Sequence, residues 1–223
     1  MKPKIGKSYL TGISHEGGTR SFQHPAFTGK YGSVAEQIDD NGLKRPNSAE
    51  TASLVYDAWK NPQGKYESEI IKILKDRGLW EFTGNLYLPK SNKEINNGVI
   101  LETNPTITNG KLNMNKKSLI ERLQDNNPLV KFVPFGYKTG RQSVLGLMKN
   151  PYIIARYGEE GAEKIAEVAS KYEKKPNLRL DFVNEGKIGM SALGSWGFSN
   201  GLVVSDGYIN VCRAFGVKRP RKK

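Results

Sequence analysis

The chain has 223 residues, 37% of them hydrophobic and 9% aromatic, enough to bury a substantial core in one domain. Its 24 glycines and 11 prolines demand many turns and argue for a loop-rich α+β fold over a helical bundle. A single cysteine, Cys212, excludes an intrachain disulfide framework and a cysteine-rich zinc module, while a net charge of +13 admits anionic partners such as nucleic acid.

Five of the positive charges sit in the tail Lys218, Arg219, Arg221, Lys222 and Lys223. The others are dispersed in mixed-sign segments, without a ribonucleoprotein, helix-turn-helix or zinc-finger signature. The tail reads either as an anion-binding or targeting patch or as a disordered solubilising end. Weak nucleic-acid binding through it gives the alternative functional reading, a basic nucleic-acid-binding protein without catalytic activity. The N-terminus, Met1 to Lys7, is basic but is followed by no apolar segment, so no secretory signal is expected. No window approaches the run of about 20 apolar residues needed to span a bilayer.

Residues 1–45 are glycine-rich and polar, with short apolar pieces, and predict an irregular arm or edge strand wrapped on the body. His15 and His24 match no zinc spacing and read as loop histidines near the surface. Asn47 and Glu50 form a capping-box pattern, opening a helix with Leu54, Val55, Ala58 and Trp59 at helical spacing until Asn61-Pro62. A second helix runs from Lys65 to Arg77, with Gly78 as its C-terminal cap. Trp59 and Trp80 read as core fillers.

Phe82 to Leu88 predicts a strand, and Lys90 to Asn115 an inserted, partly exposed excursion with a short strand at Val99 to Leu101. Lys117 to Gln124 predicts a brief helix and Leu129 to Phe135 a strand. Thr139 and Gln142 match a second capping box, opening a short helix that closes before Pro151. Glu160 to Tyr172 is amphipathic, with Ile165, Val168, Ala169 and Tyr172 inward and Glu159, Glu163, Lys164, Glu167 and Lys171 outward. Leu178, Leu180 and Phe182 alternate as a half-buried strand. Asp181 and Glu185 lack the surrounding oxygen donors of a calcium loop. No phosphate loop, nucleophile elbow or metal constellation follows, so neither catalysis nor a cofactor is expected.

The stretch from Ile188 to Val217 differs in texture: glycine recurs and charge almost vanishes. Leu202 to Val204 and Tyr208 to Cys212 read as strands joined through Ser205-Asp206-Gly207, where Asp-Gly is a hairpin signal. Alternation then sends Ile209 and Val211 into the core and Tyr208, Asn210 and Cys212 outward. An uncharged outward face of this kind suits a contact surface, although an ordinary hairpin capping a sheet has the same pattern.

Leu193-Gly194-Ser195-Trp196 and Ala214-Phe215-Gly216-Val217-Lys218 resemble the Gly-Gly-Ser-Trp start and Ile-Gly-Phe-Arg finish of a C-type-lectin-fold module. With the body segments RPNSAETASLVYDAWKN, EFTGNLYLPK and FVPFGYKTG, the chain is similar to archaeal variable proteins of diversity-generating retroelements. Formylglycine-generating enzymes share the module, but they work with a pair of cysteines and this chain has one.

The resemblance implies a single C-type-lectin-like domain over residues 1–223, with an antiparallel sheet, flanking helices and a loop-rich insert, and a variable region at 188–217 ahead of the tail 218–223. It implies recognition of a protein or cell-surface ligand, and the residues that suit such contact are Trp196, Phe198, Ser199, Asn200, Ser205, Asp206, Tyr208, Asn210 and Cys212. With neither a secretory signal nor a membrane span expected, the place expected is the cytoplasm or a virion. Aromatic side chains offer contact area at low entropic cost, and serine and asparagine offer adaptable hydrogen bonds. Trp196 is equally compatible with the core.

Overall fold

A computed structural model describes residues 8–89, 97–180, 187–195, 201–206 and 211–219. Strands β1 (Ser8–His15) and β2 (Gly18–His24) form an antiparallel hairpin turned at Glu16-Gly17, both with positive φ. Strand β3 (Phe27–Gly29) and helix α1 (Tyr31–Asp40) follow. The irregular arm expected over residues 1–45 is therefore corrected: from Ser8 onward it is ordered, because Leu10, Ile13, Phe22, Val34 and Ile38 are buried.

Helix α2 (Ser48–Lys60) begins at the expected capping box, with Asn47 Oδ1 accepting from Glu50 N–H at 2.8 Å and Glu50 Oε2 accepting from Asn47 N–H at 3.1 Å. Helix α3 (Lys65–Asp76) ends at Gly78, whose φ of 78° lets its N–H reach Ile73 O at 2.9 Å. Next come β4 (Leu79–Leu88), β5 (Gly98–Thr103), the small hairpin of β6 (Thr106–Thr108) and β7 (Lys111–Asn113), helix α4 (Lys116–Gln124) and β8 (Val130–Pro134). The excursion expected from Lys90 to Asn115 is corrected in part. Gly98 to Glu102 is a buried strand between β4 and β8.

Strand β9 (Gly140–Arg141) and helix α5 (Val144–Met148) replace the capping box expected at Thr139. Gly140-Arg141 is extended against a neighbouring strand, and Ser143 caps the helix through Oγ to Gly146 N–H at 3.0 Å. Helix α6 (Pro151–Ala169) is interrupted by Gly158 at φ 72°. Strands β10 (Asn177–Arg179), β11 (Ile188–Gly194), β12 (Val203–Ser205) and β13 (Cys212–Ala214) complete the described elements.

Nine of these strands form one mixed, mostly antiparallel sheet in the order β3-β13-β4-β11-β12-β10-β9, with β5 and β8 continuing from β4. Strand β4 is its axis: β11 runs along one edge, while β13 and β5 share the other end to end. All ten β4 residues are buried, and period-two alternation divides them between two layers. Trp80, Phe82, Leu86 and Leu88 face the side of α1 and α4, whereas Leu79 and Tyr87 face the main core under α2, α3 and α6. Trp80 fills the core as expected, its Nε1–H donating to Gly29 O at 3.0 Å. No described helix is long and apolar enough to cross a membrane.

Candidate ligand-display surface

The face of β4 toward α6 carries Glu81, Thr83 and Asn85, and burial obliges each of these polar groups to find partners. Arg156 of α6 supplies the centre. Its guanidinium contacts Glu81 Oε2 and donates to Ser48 Oγ at 3.2 Å, Tyr152 Oη at 3.3 Å and Ser205 O at 3.1 Å. Tyr157 Oη donates to Glu81 at 3.1 Å, and Tyr152 Oη donates to Asn85 Oδ1 at 3.0 Å. Asn85 in turn donates to Ser191 Oγ at 3.0 Å. Burial pushes the Glu81 carboxyl above the usual carboxylate range, and Arg156, Tyr157 and Ser48 oppose that push. Arg156 and Glu81 have fully buried side chains, so this network fixes the register of helix and sheet.

Three of the residues expected in a contact surface are buried. Ser205 is buried and its carbonyl accepts from Arg156; Asp206 is wholly buried and accepts from the Tyr87 hydroxyl. Cys212 is wholly buried, with Sγ 3.1 Å from Arg77 O, and burial pushes its thiol up to about 12. The outward assignment of Cys212 is corrected accordingly, and Ser205 and Asp206, expected as contact residues in a turn, are buried. Val211, expected inward, is 38% exposed.

The physical reason is that β12 and β13 do not pair. Strand β12 lies between β11 and β10, and β13 between β3 and β4, so the core-facing neighbours come from distant parts of the chain. Cys212 and Ala214 face the α1 layer as a result. Trp196, Phe198, Ser199, Asn200, Tyr208, Ile209 and Asn210 lie outside the described residues, as do Asp181, Phe182 and Glu185.

The described flanks of those intervals are firmly held. Ser195 N–H donates to Leu74 O at 2.8 Å, Asn177 N–H to Leu202 O at 2.9 Å and Arg213 N–H to Gly78 O at 3.2 Å. Ser195, Cys212 and Arg213 thus gather around the C-terminal turn of α3 and Gly78. The closing motif is anchored too: Gly216 O accepts from Gln23 N–H at 2.7 Å, and Val217 exchanges hydrogen bonds with Lys44 at 2.7 and 2.8 Å. The basic tail is fastened as far as Arg219, with Lys218 N–H on Ser21 O and the Arg219 guanidinium on Leu43 O, which corrects the reading of a disordered end for those two residues.

His15 is buried rather than a surface-loop residue, its Nδ1 3.0 Å from Ser53 Oγ. Lys164, expected outward, is also buried, its Nζ donating to Ser14 O at 2.9 Å and Ser53 Oγ at 3.0 Å. These contacts pin the β1–β2 hairpin to α2 and α6. His24 is half-buried and hydrogen-bonded to Glu69 at 2.8 Å. Among the described residues, no three His, Cys, Asp or Glu side chains gather into a group that could hold a metal ion. No family model, no curated protein and no solved structure matches the chain.

Proposed function

We propose that this chain is a recognition protein with a C-type-lectin-like scaffold, in which the intervals 196–200 and 207–210 carry a changeable ligand-binding surface. The observation that carries the reading is the anchoring of their flanks: Ser195, Leu202, Arg213 and Val217 are all tied by backbone hydrogen bonds to distant elements. A frame held in this way tolerates variation between its fixed points, because side chains outside the core can change without opening a cavity in it. The mostly antiparallel sheet with helices on both faces supports the lectin-like assignment. The contact residues in this reading are Trp196, Phe198, Ser199, Asn200, Tyr208 and Asn210, and diversification by a retroelement is their source of variation.

The test is a surface-displayed library diversified at those six positions and panned against a panel of unrelated folded proteins. Specific binders should emerge and lose affinity when the six positions revert. A control library at the exposed α6 positions Glu159, Glu163 and Glu167 should yield none. Equal yields from the two libraries would contradict the reading. A near-copy of the codons for residues 190–217 beside a reverse-transcriptase gene would support the retroelement independently.

A further inference from the structure

A cleft of about 340 Å³ lies between α3 and β13, lined by Glu69, Lys72, Ile73, Asp76, Arg77 and Arg213. The helix residues recur at helical spacing and form one face, with buried Ile73 as the floor and Lys72, Asp76 and Arg77 exposed on the rim. Across the cleft, Cys212 and Ala214 turn toward α1, so Arg213 between them turns toward α3. Its Nε is buried without a hydrogen-bond partner. Among the described residues, no carboxylate comes within ion-pair distance of Arg213 or Lys72. Glu69 is already engaged by His24 at 2.8 Å.

We propose that this cleft binds a side-chain carboxylate of a peptide or protein partner, with Arg213 as its principal ligand and Lys72 as a supporting cation. A guanidinium presents a planar fork of donors that matches a carboxylate, and beyond the buried Nε its terminal amino groups are the donors a carboxylate in the cleft would meet. The mixed rim decides against a polyanion: Asp76 and Glu69 would repel a phosphate backbone, whereas a peptide carrying a carboxylate beside a cation complements both signs. The cleft adjoins Val211 and Cys212, which follow the interval 207–210. It therefore adds a polar anchor next in sequence to the interval proposed to vary, and in this it rests on the recognition reading.

The experiment is an NMR titration of the ¹⁵N-labelled full chain, following the Arg213 Nε–H resonance, which is assigned by its disappearance in Arg213→Gln. The probes are a blocked Gly-Glu-Lys-Gly peptide, its Gly-Gln-Lys-Gly counterpart, inorganic phosphate and a short single-stranded oligonucleotide. The glutamate peptide should shift the resonance to saturation, and the glutamine peptide should not. Read at backbone amides around the cleft, Arg213→Gln should weaken binding about tenfold and Lys72→Gln, at an exposed helix position, by a smaller factor. An unmoved Arg213 resonance, an equal response to the glutamine peptide, or tighter binding of phosphate or oligonucleotide would overturn the proposal. Because the titration involves only scaffold residues, its failure is separable from failure of the library selection.

Discussion

Two arginines stand over the same face of the sheet in opposite circumstances. Arg156 is wholly buried, and its guanidinium is bound by Glu81, Ser48, Tyr152 and the carbonyl of Ser205. Arg213 is half-buried at the edge of a cleft, with Nε lacking a partner. A buried charge with every donor engaged locks one arrangement of helix and sheet, and removing one partner strands the other. A half-buried arginine at a cleft edge, outside any ion pair among the described residues, contributes little to folding.

Removing each guanidinium measures the contrast directly. Arg156→Ala should destabilise the fold by about 3–5 kcal/mol, since Glu81 would remain buried without its counter-charge. The double substitution Arg156→Met with Glu81→Leu should restore much of that loss, as judged by urea denaturation. At the other extreme, Arg213→Gln should change stability by no more than about 0.5 kcal/mol.

Crowding at two closely packed glycines gives the next largest effect. A Cβ on Gly189 would lie 2.7 Å from Asp206 O, and one on Gly216 would lie 3.1 Å from Leu43 Cβ. Gly189→Ala should cost about 1–3 kcal/mol, and Gly216→Val a similar amount, through forced displacement of packed neighbours. Thermal unfolding of the two variants checks this.

Neighbouring residues of the terminal stretch differ in the same way. Cys212→Tyr should overpack the α1 layer and cost about 1–3 kcal/mol, whereas Val211→Ala should stay within about 0.5 kcal/mol. The Cys212 thiol should resist alkylation at pH 8 until the chain unfolds. Its folded pKa of about 12 lies above the ordinary 9.0, so its contribution to stability is complete below pH 9 and is lost as pH rises toward 12.

The smallest effect is acidic. Burial holds the His15 imidazole below its ordinary value of 6.5, against the pull of Glu16 and Glu50. Its contribution is therefore present above pH 6.5 and is lost as pH falls through the depressed folded value. His15→Gln should flatten that acid limb of the stability profile in a denaturation series from pH 7 to pH 4.

Local signals in the sequence carry through to the structure, and non-local ones mislead. The Asn47–Glu50 box, the Gly78 cap and the periodicity of α3 each depend on residues within a turn of one another, and all are realised. Helix α1 has no capping side chain at Lys30 to announce it, although Tyr31, Val34, Ala35 and Ile38 fall at helical spacing. The pairing expected between the two terminal strands is overridden because β12 finds β10 and β11, and β13 finds β3 and β4. Lys164 illustrates the same limit on one side chain: its long stem lets the ammonium reach Ser14 O inside the fold, which charge patterning cannot show. Arg156 and Glu81 are likewise legible only as charges in apolar settings until the sheet and α6 meet.

A mutational scan of residues 188–217, read out by resistance to proteolysis, separates a changeable surface from the frame that holds it. Tolerance is expected at 196, 198–200, 208, 210 and 211, flanked by intolerance at Gly189, Ser191 to Ser195, Leu202 to Asp206, Cys212 and Ala214 to Val217. Equal intolerance across the intervals 196–200 and 207–210 would contradict it, since a surface that cannot vary without unfolding the frame cannot serve as a changeable one.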